Sequence, residues 1–230
     1  MSVIYLIRHG QASFGDGDYD RLSDLGHTQA KLLGAALAPR VGEIEKVVVG
    51  TMRRHRETMD GSLAAFGATP EPIESPAFDE YDHKEVIARY EPRYADEREI
   101  AKDLAAVADP LRHFQEFFSR ATARWADGEH DSDYTEPWPR FRARVLAGFE
   151  ELAGAISKSG TALVFTSGGP IAVLAAHLLG VDSGRVFSLQ WRFVNAGVTK
   201  IVTGRSGPAV VSLNEHAHLE TRGREFVTYR

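Results

Sequence analysis

Val3-Ile4-Tyr5-Leu6-Ile7-Arg8-His9-Gly10 is five apolar residues running straight into a cation, an imidazole and a glycine. An unbroken apolar run of this length, rich in β-branched and aromatic residues, predicts a short strand buried on both faces. Its polar end is compatible with a strand that simply meets solvent. It is also what a strand looks like when it delivers reactive groups to the carboxyl edge of a parallel sheet, where open α/β folds bind their ligands.

After Gly10 a loop rich in Gly, Asp and Ser runs to Asp20, and Ser23 is a suitable N-cap for a helix over about 24–38. Lys46 to Gly50 predicts a second buried strand, and Thr51 can cap a following helix that ends near Phe66. A short extended piece, Glu71 to Ser75, leads to Phe78-Asp79-Glu80-Tyr81. Strands alternating with helices imply a parallel sheet with right-handed crossovers. From Lys84 to Pro137 the alternation stops, and charged helical segments carry an aromatic cluster of Phe114, Phe117, Phe118 and Trp125. Trp138 to Ser159 predicts a long amphipathic helix, with Trp138, Phe141, Val145, Phe149, Leu152 and Ile156 stepping by threes and fours. A strand over Thr161–Thr166, a Ser167-Gly168-Gly169-Pro170 turn, a helix over Ile171–Leu179 and two closing strands complete the chain. The expected architecture is a three-layer αβα sandwich with a mostly parallel sheet. It forms one domain over residues 1–230, with 84–137 inserted as a helical cap.

Composition excludes several classes of function. The 230 residues carry 27 basic and 32 acidic side chains, a net charge of −5, so nothing favours nucleic acid or an anionic membrane in general, and any anion site is local. With no cysteine, disulfides, thiolate catalysis and Cys-ligated zinc are excluded. No apolar run approaches the roughly 18 residues of a membrane span. The first strand begins within two residues of Met1, which leaves no room for a signal peptide. A cytoplasmic setting is expected.

Chemistry-bearing residues recur after the strands. Arg8-His9-Gly10 follows the first, Thr51 to Arg56 the second, Asp79-Glu80 precedes the cap, and Ser167-Gly168-Gly169 follows the fourth. Each alone has a plain reading: a solvated basic helix face, one acid among several, a tight turn. At one sheet edge they form an anion site, because guanidinium forks and free helix N–H groups bind phosphate. A histidine beside them can act as nucleophile and a carboxyl group can protonate a leaving alkoxide. That set is suited to phosphoryl transfer from an ester, with no metal and no cofactor expected.

These motifs resemble those of the histidine phosphatase superfamily, in its phosphoglycerate-mutase-like branch. The similar stretches are Ile7-Arg8-His9-Gly10-Gln11-Ala12, Leu22-Ser23-x-x-Gly26-x-x-Gln29-Ala30, Arg54-His55-Arg56-Glu57-Thr58, Phe78-Asp79-Glu80-Tyr81 and Thr166-Ser167-Gly168-Gly169, in that order. The resemblance implies His9 as the nucleophile that becomes a phosphohistidine and Glu80 as the proton donor. It implies Arg8, Arg54, Ser167, Gly168 and Gln11 as phosphate-binding residues. Two cations beside His9 would keep its imidazole neutral near pH 7, and the Gly10 carbonyl would fix its tautomer.

The sequence departs from the family pattern at Ser167, where relatives carry a second histidine, and at Ser13-Phe14-Gly15, where many place an asparagine. Losing a donor to the phosphoryl oxygens costs about 10²–10³ in rate where it acts, so turnover is expected to be impaired. His83, three residues past Glu80, is the candidate replacement histidine. His216 and His218 have metal-ligand spacing but read as surface residues. Three functions fit: a phosphatase for a small phosphomonoester, a phosphoglycerate-type mutase, and a weakly active or non-catalytic phosphate-binding regulatory protein. The expected partner is a small phosphorylated substrate or phosphate, with a homodimer through the late strands left open. Arg89, Tyr90 and Arg93 in the cap are candidates for contact with the substrate.

Overall fold

The computed structural model describes residues 1–13 and 20–229. Part of the loop after Gly10, including Phe14 and Gly15, therefore lies outside the described residues. Four strands, β1 (Ser2–Arg8), β2 (Lys46–Val49), β3 (Ile73–Glu74) and β4 (Thr161–Thr166), run parallel, and β5 (Val198–Gly204) and β6 (Gly207–Glu215) run antiparallel in a hairpin. The spatial order is β3-β2-β4-β1-β5-β6. This is the expected mostly parallel sheet, with β1 and β4 at its centre. Parallel strands buried on both faces are continuously apolar, and the alternation along β1 sends Ile4 and Leu6 into one core layer and Tyr5 and Ile7 into the other.

One layer holds α1 (Asp24–Leu37), α2 (Arg53–Leu63) and the short α9 (Ala217–Glu220), through Leu33, Leu37, Met59 and Leu219. The opposite layer holds α6 (Trp138–Ala155) and α7 (Gly168–Leu179). Between α2 and α6 lie α3 (His83–Tyr90), α4 (Glu97–Ala105) and α5 (Pro110–Ala126), and the short α8 (Val186–Gln190) follows α7. Trp125 of α5, 1% exposed, packs on Tyr81, Trp138, Phe141 and Phe187, so the aromatic cluster of the cap is continuous with the core of this layer.

Ser23 caps α1 as expected, its hydroxyl accepting the Gly26 N–H at 3.0 Å. Thr51 does not cap α2. Met52 occupies the N-cap position and makes no side-chain cap bond, because the Thr51 hydroxyl donates to Asp79 Oδ2 at 2.5 Å instead. The extended piece at 71–75 pairs over only Ile73–Glu74, and α6 stops at Ala155, four residues before the expected end. The helix after β4 begins at Gly168 and not Ile171, so Pro170 lies in its first turn, where its missing N–H is not needed.

Candidate active site

The carboxyl ends of β1, β2 and β4 meet around His9. The ring is 4% exposed, and its Nδ1 lies 2.7 Å from the Gly10 carbonyl. A carbonyl only accepts, so Nδ1 carries the proton and Nε2 presents a lone pair. Burial, then Arg54, Arg8 and His55, hold the His9 pKa well below the ordinary imidazole value, since each disfavours adding a positive charge. The backbone around the ring is fixed as well. The His9 N–H donates to Thr166 O, and the His9 carbonyl accepts from Ala196 N and Asn195 Nδ2.

The segment Arg54-His55-Arg56-Glu57-Thr58 supplies four separate functions from one helix. Arg54, 5% exposed, has Nη1 at 2.7 Å from Asp20 Oδ1. Glu57 Oε2 accepts the Leu22 N–H, and Thr58 Oγ1 accepts the Gly10 N–H at 3.0 Å, tying α2 to both ends of the loop after β1. His55 is fully buried, with Nε2 2.7 Å from Ser167 Oγ. The buried face of α2 is thus largely polar: Arg54, His55, Thr58 and Ser62 with Met59.

Arg8 donates through Nη1 to the Phe193 carbonyl and through Nη2 to the Tyr229 carbonyl at 3.1 Å. The second bond ties its fork to the segment 226–229. That segment is held in turn by Gln29 Nε2, which donates to Phe226 O and Thr228 Oγ1, and by Asn195 N, which donates to Thr228 O. Gln29 sits in the buried stripe of α1 without exposure because its side chain also accepts the Gln11 N–H.

Glu80 is positioned by Thr166, whose hydroxyl donates to Phe78 O at 2.5 Å, and by the start of α7, where Gly169 N donates to Glu80 Oε2 at 3.0 Å. A Cβ on Gly169 would stand 1.9 Å from Glu80 Oε1, so this approach requires glycine. Burial raises the Glu80 pKa and outweighs the opposing pull of the Gly169 N–H, Arg54 and Arg8. A Cβ on Gly168 would lie 3.6 Å from Arg8 Nε, which places this helix start against the guanidinium.

The predicted residues His9, Arg8, Arg54, Glu80, Ser167 and Gly168 thus lie around one edge of the sheet. Gln11 is used structurally: its Oε1 accepts the Ser23 hydroxyl at 2.8 Å. His83 lies at the start of α3, half-buried, its pKa lowered to about 4 by burial and then by Arg54. The histidine in contact with Ser167 is His55, which reading the chain for a replacement histidine missed. Its signal was a histidine directly after the site arginine, on a helix whose apolar residues are too few to cover its inner face. Asn195, Gln29 and the 226–229 segment were also missed, since nothing local marks them. His216 Nδ1 donates to Asn214 O, and half-buried His218 has a pKa lowered to about 4 by burial and then His216. In the cap, Arg93 pairs with Asp103 and Tyr90 packs edge-on against Phe117. A cavity of about 520 Å³ adjoins Asp79 and Glu80, with Val86 and Trp125 in its wall.

Residues 4–216 match the Histidine phosphatase superfamily (branch 1), and the chain belongs to that family. Its fold is similar to that of a phosphoglycerate mutase from Bacillus anthracis, at 20% identity over 94% of both chains with a TM-score of 0.63. It is also similar to a putative alpha-ribazole-5'-P phosphatase from Escherichia coli, at 17% identity over 94% of this chain and 98% of that one, TM-score 0.64. A third is the mycobacterial glucosyl-3-phosphoglycerate phosphatase, at 20% identity over 92% and 98%, TM-score 0.61. Among curated proteins none matches. No helix among the described residues is long and apolar enough to cross a membrane.

Proposed function

We propose that this chain is a metal-independent phosphatase that hydrolyses a small phosphomonoester through a phosphohistidine on His9. The observation that carries this is the His9 ring itself: buried and neutral, its Nδ1 proton committed to Gly10 O, its Nε2 lone pair available beside Arg8 and Arg54. Nε2 attacks phosphorus as the ester P–O bond breaks, and Glu80, whose raised pKa favours the protonated form, gives its proton to the departing alkoxide. Water then attacks phosphohistidine, Glu80 takes a proton from it, and phosphate leaves with His9 restored. Arg8 and Arg54 hold the equatorial oxygens, and Asp20 yields Arg54 to the dianion. The alcohol part of the substrate would lie toward Glu80 and the cap. Family membership and neighbours named as phosphatases support this reading.

The test is phosphate release from a panel of phosphomonoesters in EDTA, with an acid-quenched search for acid-labile phosphohistidine. Wild-type protein should turn over and trap label on His9, and His9→Ala should do neither. Equal hydrolysis by both proteins rejects the mechanism. Label exchange between monophosphoglycerates without net hydrolysis would assign the mutase reading instead.

A further inference from the structure

His55 and Ser167 form a buried pair that the scheme above leaves unused. Both are fully buried, and the 2.7 Å contact between His55 Nε2 and Ser167 Oγ joins the start of α2 to the start of α7. The pair lies beside the site. The His9 and His55 ring centroids are 5.8 Å apart, and the two residues after Ser167 lie against Arg8 and Glu80. The room for the second imidazole is specific, since a Cβ on Gly50 would stand 2.2 Å from His55 Nδ1 and 2.7 Å from Asp79 Oδ1. Asp79 Oδ1 lies 3.9 Å from Nδ1, beyond hydrogen-bond reach, and Thr51 holds both carboxylate oxygens through its N–H and hydroxyl. Among the described residues Nδ1 has no hydrogen-bond partner, and Nε2 ties the ring to Ser167.

We propose that His55 is a positioning residue for Ser167: its Nε2–H donates to Ser167 Oγ, which turns the hydroxyl proton outward to a phosphoryl oxygen. The proposal rests on the phosphatase reading for the identity of that oxygen. A hydroxyl has one proton, so it can donate to phosphate only if its other strong neighbour donates to it. No bond to His55 forms or breaks. Serine and imidazole, supplied by two elements, together present one donor to the oxygen.

The experiment is a double-mutant cycle read by kcat, KM and vanadate affinity, with thermal melting as a check on folding. Ser167→Ala and His55→Ala should each lower kcat by about 10²-fold, with KM changed far less. The double variant should be no slower than either single one, because the two act as a unit. His55→Gln, which retains an N–H donor, should recover about tenfold over His55→Ala. His55→Ala/Ser167→His moves the imidazole to the other element and should restore turnover. Additive losses, a His55→Ala enzyme as fast as wild type, or an acid-stable phosphoserine at Ser167 would overturn the proposal. If His55→Ala does not fold, Ser167→Ala against wild type decides, since a Ser167→Ala enzyme at full rate is also fatal. Vanadate titration separates this from failure of the phosphatase reading. A protein with no turnover on any ester should still bind vanadate about 10²-fold more weakly when Ser167 is alanine, and equal binding rejects the pair's role.

Discussion

Thr58 shows how a site residue can act without touching substrate. Its hydroxyl oxygen receives the Gly10 N–H while its proton goes to the Arg54 carbonyl, so one side chain couples Gly10, next to His9, to the helix that carries Arg54. Thr58→Ala should leave the buried Gly10 N–H unpaired and lower stability by about 1–3 kcal/mol, as measured by urea unfolding, with a fall in kcat from the loosened loop. Glu80 makes a sharper prediction. If it protonates the leaving group, Glu80→Gln should slow hydrolysis of an alkyl phosphate by about 10²–10⁴-fold and that of p-nitrophenyl phosphate, whose leaving group needs no proton, much less. Equal losses on both substrates would remove Glu80 from the acid's role. The rate of the wild type should fall as pH rises through the raised Glu80 pKa, and this limb should vanish in Glu80→Gln.

At the scale of elements, the last segment of the chain belongs to the site. Phe226 and Thr228 bond Gln29 of α1, Thr228 bonds Asn195, and the Tyr229 carbonyl receives Arg8. Truncation after Glu225 would remove these acceptors together. We expect kcat/KM to drop by at least tenfold, through the loss of Arg8 orientation, and the melting temperature to fall because Gln29 Nε2 loses its acceptors Phe226 O and Thr228 Oγ1. A truncated protein with unchanged kcat/KM would show that the Tyr229 carbonyl does not orient Arg8. The cap makes a packing prediction: Trp125→Ala should cost about 3–5 kcal/mol, since that ring joins α5 to Tyr81, Trp138 and Phe141.

For the whole molecule, buried and half-buried histidines set the response to acid. His9 and His55 have pKa values well below the ordinary 6.5, and those of His83 and His218 are lowered to about 4. Below pH 6.5 the unfolded chain binds protons that the folded one refuses. Their contribution to stability is therefore complete above pH 6.5 and is lost as pH falls toward 4. Asp79 and Glu80 act in the opposite sense. Their raised values mean that the folded state keeps protons the unfolded state has released, so acidification stabilises it within their window. Four histidines against two carboxyl groups predict a melting temperature that falls from pH 7 to pH 5, with net proton uptake on unfolding. His218→Gln should flatten this slope. A melting temperature that rises over that range would show that the carboxyl groups dominate.

The sheet is legible in the chain alone, because β1, β2 and β4 are runs of apolar residues that only a doubly covered parallel sheet can bury, and the polar residues that follow each strand must then share its carboxyl edge. His9, Arg8, Arg54 and Glu80 are legible as candidates for the same reason: each is tied by a few residues to a strand end. The contacts between segments remote in the chain emerge only in the folded molecule. His55 and Ser167 are 112 residues apart, and Arg8 and Tyr229 are 221 apart. Periodicity registers apolar side chains and is blind to a helix face that is buried yet polar, as on α2. Such a face is stable only because its hydrogen-bond partners arrive from other elements, and those partners exist only once the chain has folded.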